Sequence, residues 1–239
     1  MSPHKRLTYL NLCAAGHGSL TFIALATALS YIFNDPAFVF SFFTGLYLAA
    51  WGMGTLWAEK YAGDHERIVR LILFNSLAGI LLANPGIWAI LGANEMIRYV
   101  LRARHQDLLF LRLPAGIILT LCLGMVFGAR QSAFSKLMKS KNYPGAGAGS
   151  KFWESGYSGA FAGIMLFTFI FNPFGGLVRG LLLSQVITLG IIDLAFFRLS
   201  PASKPFVLKI MLLGTNIYVL ASLLAQRFVI NGLDALSGL

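Results

Sequence analysis

Apolar runs of about 20 residues, the length a helix needs to cross a ~30 Å hydrocarbon layer, recur along this chain with only short polar breaks between them. The first extends from Leu7 to Phe33 without an Asp, Glu, Lys or Arg. It is too long for a cleaved signal peptide and has no suitable cleavage site. Hydrophobic residues make up 57% of the chain and charged residues 12%, so no stretch reads as a separate soluble domain. The expected fold class is all-α, a polytopic membrane helix bundle filling residues 1–239 as one integral membrane domain. There is room for roughly seven spans.

The spans are expected at 7–33, 37–57, 68–91, 108–127, 154–171, 177–197 and 206–227. Asn34-Asp35-Pro36 is a compact turn with Pro36 at a helix start. The third run crosses Asn84-Pro85-Gly86, and stopping there would leave it about 24 Å long, so a kinked continuation to Leu91 is expected. From Asn94 to His105, Arg98, Arg102 and His105 share one helical face opposite Ile97, Val100 and Leu101, the pattern of a helix lying in the interface. Arg130, Lys136, Lys139, Lys141 and Lys151 are read as cations of a loop from Gly128 to Phe152, which carries no acid.

The net charge of +10 reflects the bias of cytoplasmic loops rather than nucleic-acid binding. With the N-terminus inside, Lys5, Arg6, Lys60, Arg67, Arg70 and the cations of 128–152 fall on the cytoplasmic side, and the C-terminus falls outside. A multi-pass protein of a prokaryotic inner membrane is expected. Its partners would be the lipid bilayer and either other membrane subunits or further copies of itself.

Few residues suggest chemistry. Cys13 and Cys122 lie in apolar runs, and scattered histidines make no metal site; no cofactor is expected. Pro144 to Lys151 lacks the residue order and strand context of a phosphate loop. Lys209 is too close to one end of its span to be a retinal lysine. Ionisable residues within spans are the binding candidates, because burying a charge in hydrocarbon is costly. Asp193 and Lys209 fall at similar depth on neighbouring spans, and Arg112 and Arg179 fall in the outer half. His17, between Gly16 and Gly18, is expected to hydrogen-bond a neighbouring helix. Gly45 and Gly52 in the second span, and Gly159 and Gly163 in the fifth, are expected to let helix backbones approach closely.

The segment Gly45-Leu-Tyr-Leu-Ala-Ala-Trp-Gly-Met-Gly-Thr-Leu-Trp-Ala-Glu-Lys60 resembles a helix end in the membrane domain of spermidine synthase-like proteins. That module is similar to part of the major facilitator fold. Gly149 to Gly163, with its small residues at Gly159, Ala160 and Gly163, and Leu111 to Leu137 carry the same resemblance. It implies the membrane architecture only. The glycine-rich nucleoside-binding loop and acid cluster of the family's synthase domain do not occur in this sequence. Ala58 stands where facilitator-type signatures carry an aspartate, and the family's polar positions fall near Ile23 and Gly156. The expected function is therefore a non-catalytic membrane module, a subunit or scaffold of a larger complex. The alternative is a small-solute or ion-coupled transporter with a facilitator-like bundle.

Overall fold

The computed structural model describes residues 3–101, 109–139, 148–173, 176–177, 180–183, 185–186, 189–190, 209–210 and 212–221. Every described element is helical. In order they are α1 (Pro3–Phe33), α2 (Pro36–Tyr61), α3 (His65–Leu101), α4 (Leu109–Lys139) and α5 (Ala148–Leu166), which runs on through a π-helical turn, Phe167–Phe171. Four helices are long and apolar enough to cross a membrane, over Leu7–Phe33, Pro36–Tyr61, His65–Ala93 and Leu113–Lys139.

The turns follow from side-chain chemistry. Asn34 ends α1 with φ +53, a left-handed conformation that asparagine tolerates better than most side chains. The Asp35 carboxylate then accepts from the Phe38 amide at 2.9 Å, capping α2, and Pro36 occupies its first turn. At the other end of α2, Asp64 accepts from the Arg67 amide at 2.8 Å and starts α3. Lys136 of α4 closes this corner by donating to the carbonyls of Glu59 at 2.7 Å and Ala62 at 3.3 Å. The ion pairs beside it, Arg67–Asp64 at 3.6 Å and Arg70–Glu66 at 3.7 Å, are exposed and add little.

Helix α1 is buried around much of its circumference and packs against α2, α3, α4 and α5. Its register against α5 rises in the same direction on both helices: Asn11 meets Phe152 and Ser155, Leu12 meets Gly159, and Gly16 meets Gly163. The two helices are parallel. Helices α2 and α4 are parallel as well, with Phe43 against Gly116, Tyr47 against Gly124 and Trp51 against Gly128. Helix α3 runs antiparallel to α4, with Gly79 on Phe127 and Gly86 on Leu119. The core forms two apolar clusters. One gathers Leu7, Ile72, Leu77, Phe134 and Leu137; the other gathers Leu25, Leu29, Phe43, Ile87, Leu123 and Phe127.

Three differences from the sequence expectations have physical causes. Helix α4 does not stop at Phe127. Leu123, Phe127, Arg130, Phe134 and Leu137 are all buried and keep the three-to-four spacing of one helical face, so α4 continues to Lys139. Arg130, Lys136 and Lys139 are therefore helical rather than loop residues, and Lys151 and Phe152 belong to α5. Helix α3 carries its backbone through Pro85 to Leu101, so the first part of the expected interfacial helix is continuous with it.

Helix contacts also differ. Gly159 and Gly163 lie directly against the backbone of α1, but Gly45 and Gly52 have nothing within 4 Å. The buried face of α2 is Val39, Phe43, Tyr47, Ala50, Gly54 and Ala58. Gly45, Ala49 and Gly52 share the opposite, exposed face. The glycine that brings α2 onto α4 is Gly54: a Cβ there would lie 2.8 Å from the Met125 carbonyl carbon.

Candidate functional site: a buried cationic centre between α1, α2 and α4

Ala14, His17, Gly18 and Thr21 recur at spacings of three and four, on one face of α1. That face meets Phe127 and Arg130 of α4. Arg130 is only 2% exposed and is among the largest fully buried side chains described. Its Nη2 donates to the Ala14 carbonyl oxygen, and its guanidinium carbon lies 4.7 Å from the centre of the Phe127 ring. Gly18 leaves the room it occupies, since a Cβ there would be 3.3 Å from Nη2 and 3.6 Å from the Phe127 ring. Phe127 is fixed from the other side by Gly79, where a Cβ would come within 2.6 Å of the ring.

His17 packs its ring edge-on to Phe127, 5.7 Å between centroids with the planes at 83°. Both of its ring nitrogens lack a hydrogen-bond partner. The expected hydrogen bond from His17 to a neighbouring helix is thus replaced by an aromatic contact. Tyr47 of α2 is buried and stacks on Phe22 of α1 at 4.4 Å. The Tyr47 hydroxyl, the Thr21 hydroxyl and Nε and Nη1 of Arg130 also have no hydrogen-bond partner. Asn11, one to two turns towards the start of α1, is better served: its Nδ2 donates to the Phe152 carbonyl at 3.0 Å and to Ser155 Oγ at 2.8 Å.

Arginine stays charged in proteins, and an unpaired buried ion costs several kcal/mol. Among the described residues no carboxylate is buried, and the described partners of the guanidinium are the Ala14 carbonyl and the Phe127 ring. Arg130 lies nine positions before Lys139, about 13 Å along the helix. The cation therefore lies well inside the bundle.

An opening lies on the adjoining face of α4. It is a crevice of about 330 Å³ between α2, α4 and α5, walled by Trp51, Trp153 and Tyr157, with Gln131 inside and Glu59 and Lys139 among its lining residues.

Of the four binding residues named from sequence, Lys209 alone has a described side chain. Lys209 is exposed. Asp193 and Arg179 lie outside the described residues, as does the side chain of Arg112. Among the described residues no group of His, Cys, Asp and Glu could hold a metal ion. Arg130 and Tyr47 were missed because each sits in an apparently ordinary setting, a basic run and an aromatic-rich helix. A signal did exist for Arg130, which occupies a position on the apolar stripe Leu123, Phe127, Phe134, Leu137. Charge at a core position of a helix is the pattern of an internal site.

These elements define an all-helical bundle with four helices of membrane-crossing length and composition. No family model matches the chain, and no curated protein or solved structure is significantly similar to it.

Proposed function

We propose that the chain is a multi-pass integral membrane protein of carrier type, non-enzymatic, whose interior binds a small solute. The supporting observation is an inverted distribution of polarity. Phe38, Phe42, Leu48, Met53 and Leu56 of α2 and Tyr157, Phe161 and Phe169 of α5 and its extension are exposed, whereas Arg130, His17, Thr21 and Asn11 are buried. A hydrocarbon surround suits that surface, and a charged interior in such a protein is a functional site by default. The seven-span count, the prokaryotic inner membrane, the cytoplasmic N-terminus and the likeness to a facilitator-type half belong to this same reading.

Membrane fractions carrying the chain should retain it through alkaline carbonate extraction. Proteoliposomes should exchange a small solute in a manner lost with Arg130→Gln. Release of the wild-type chain by carbonate would refute the membrane reading; exchange identical in Arg130→Gln would refute the carrier reading.

The open face of α2 favours a second reading, a subunit of a larger membrane complex. Gly45, Ala49 and Gly52 could admit another helix at close range. Purification in mild detergent with a stoichiometric partner, lost in a Gly45→Leu and Gly52→Leu double variant, would support it; a partner-free chain in native membranes would remove it.

A further inference from the structure

We propose that the centre around Arg130 is a binding site for a compact oxyanion, the carboxylate or phosphate group of a solute entering the bundle interior. The inference rests on the membrane-bundle reading and names the ligand class of its interior. Three observations converge on it. First, Arg130 is 2% exposed and commits only Nη2, to the Ala14 carbonyl, leaving Nε and Nη1 without acceptors. The planar guanidinium offers paired N–H donors at the spacing of two oxygens of a carboxylate or phosphate. Second, the unpartnered groups of Thr21, His17 and Tyr47 are 0%, 3% and 4% exposed. A hydroxyl donates as readily as it accepts, and a neutral imidazole carries one N–H. All three can therefore give hydrogen bonds to an oxyanion gathered by the arginine.

Third, no described buried carboxylate competes for the cation. The acids that are described, Asp35, Glu59, Asp64, Glu66 and Glu154, are exposed or only half-buried. A divalent metal or an organic cation would be repelled by the same centre. The Phe127 ring lies against the guanidinium and Phe22 stacks on Tyr47, so the surroundings suit an anion carried on a small apolar body better than a sugar or a peptide. The oxyanion could come from a free solute or from the phosphate of an anionic lipid. The depth of about 13 Å from Lys139 along α4 and the enclosure by α1, α2 and α4 favour the free solute.

The test uses the purified full chain in neutral detergent, with thermal unfolding followed during titration with sodium acetate, sodium benzoate or inorganic phosphate. Sodium chloride at equal ionic strength is the reference. At least one of these oxyanions should raise the melting temperature by several degrees and saturate. The shift should vanish in Arg130→Gln, and Tyr47→Phe should weaken the apparent affinity by at least about tenfold, the loss of one hydrogen bond to a charged group. Lys139→Gln, away from the centre, should behave as wild type.

Should Arg130→Gln fail to fold, Arg130→Lys keeps the charge but loses the fork, and binding at least about tenfold weaker is then expected. A parallel measurement in nanodiscs separates the two sources. Stabilisation by phosphatidylglycerol over phosphatidylcholine, without any effect of the free anions, would support the oxyanion site and assign it to a lipid headgroup. The proposal is overturned if wild type shows no saturable response to any free oxyanion or to phosphatidylglycerol. Affinities unchanged in both Arg130→Lys and Tyr47→Phe would overturn it equally. Because this test needs no membrane-extraction result, a chain that resists carbonate but binds no oxyanion would sink this inference and leave the membrane reading standing.

Discussion

Replacing Gly159 by alanine should destabilise the bundle by forcing α5 away from α1. A Cβ at this position would meet the Leu12 carbonyl oxygen, with the Leu12 carbonyl carbon at 2.8 Å and its Cα at 3.0 Å. These are backbone atoms of α1, so no side chain can rotate away. Restoring an ordinary 3.4 Å contact to the carbonyl carbon requires α1 and α5 to separate by at least about 0.6 Å. A gap of that size forfeits a quarter to a half of each dispersion contact along the seam, and overpacking of this kind typically costs about 1–3 kcal/mol. Alanine also returns up to about 1 kcal/mol of helix propensity, so a net loss of about 1–2 kcal/mol is expected.

Gly163 faces the Gly16 backbone in the same way, with the carbonyl carbon 2.8 Å from its would-be Cβ. Once the seam has opened for one methyl it accommodates the second, so Gly159→Ala with Gly163→Ala should cost less than the two singles added together. Gly45→Ala and Gly52→Ala are the internal controls. They meet nothing within 4 Å and should be neutral or slightly stabilising. Equilibrium unfolding in mixed micelles, with thermal stability by fluorescence-detected size exclusion, reads all five proteins. If Gly159→Ala stays within about 0.5 kcal/mol of wild type, or Gly45→Ala is equally damaging, the backbone seam between α1 and α5 does not exist as described.

Other perturbations probe separate parts of the molecule. Asn11→Ala removes the donor to Phe152 and Ser155 and should cost about 1–3 kcal/mol in the same unfolding assay; an effect near zero would mean those bonds do not hold α1 to α5. Asp35→Ala strips the cap of α2 and should cost about 1 kcal/mol, with Asp35→Asn largely sparing it. Lys136→Met should loosen the corner at Glu59 and Ala62, seen as faster hydrogen exchange confined to the α2–α3 turn; unchanged exchange there would contradict the contact. With Cys13 and Cys122 changed to serine, a cysteine at Asn34 should react with an impermeant thiol reagent in intact cells, and one at Asp64 only after permeabilisation. Equal labelling of both would rule out a span between them.

Much of the fold can be read from residue pattern because apolar length, turn chemistry and helix period act locally. Leu7 to Phe33 and Pro36 to Tyr61 announce themselves as long helices, and Asn34-Asp35-Pro36 must turn. Which face of a helix is buried is less local. The small residues Gly45, Ala49 and Gly52 and the small residues Gly156, Gly159 and Gly163 look equivalent along the chain. Only the positions of α1 and α4 make one set a seam and leave the other open. Arg130 was hidden for the opposite reason. Its neighbours Lys136 and Lys139 are cations at a helix end, and reading all three as one basic segment concealed that Arg130 points along the apolar face to Ala14.

The state of Arg130 itself is the most direct measure. In protein labelled with ¹⁵N-arginine and held in nanodiscs, the Arg130 Nε–H resonance can be assigned by its disappearance in Arg130→Lys. A guanidinium enclosed by α1, α2 and α4 should exchange with solvent more slowly than the exposed Arg67 and Arg70, and its resonance should move as acetate or phosphate is added. An Arg130 signal that exchanges as fast as those of Arg67 and Arg70, and is indifferent to either anion, would contradict a buried cationic centre in this bundle.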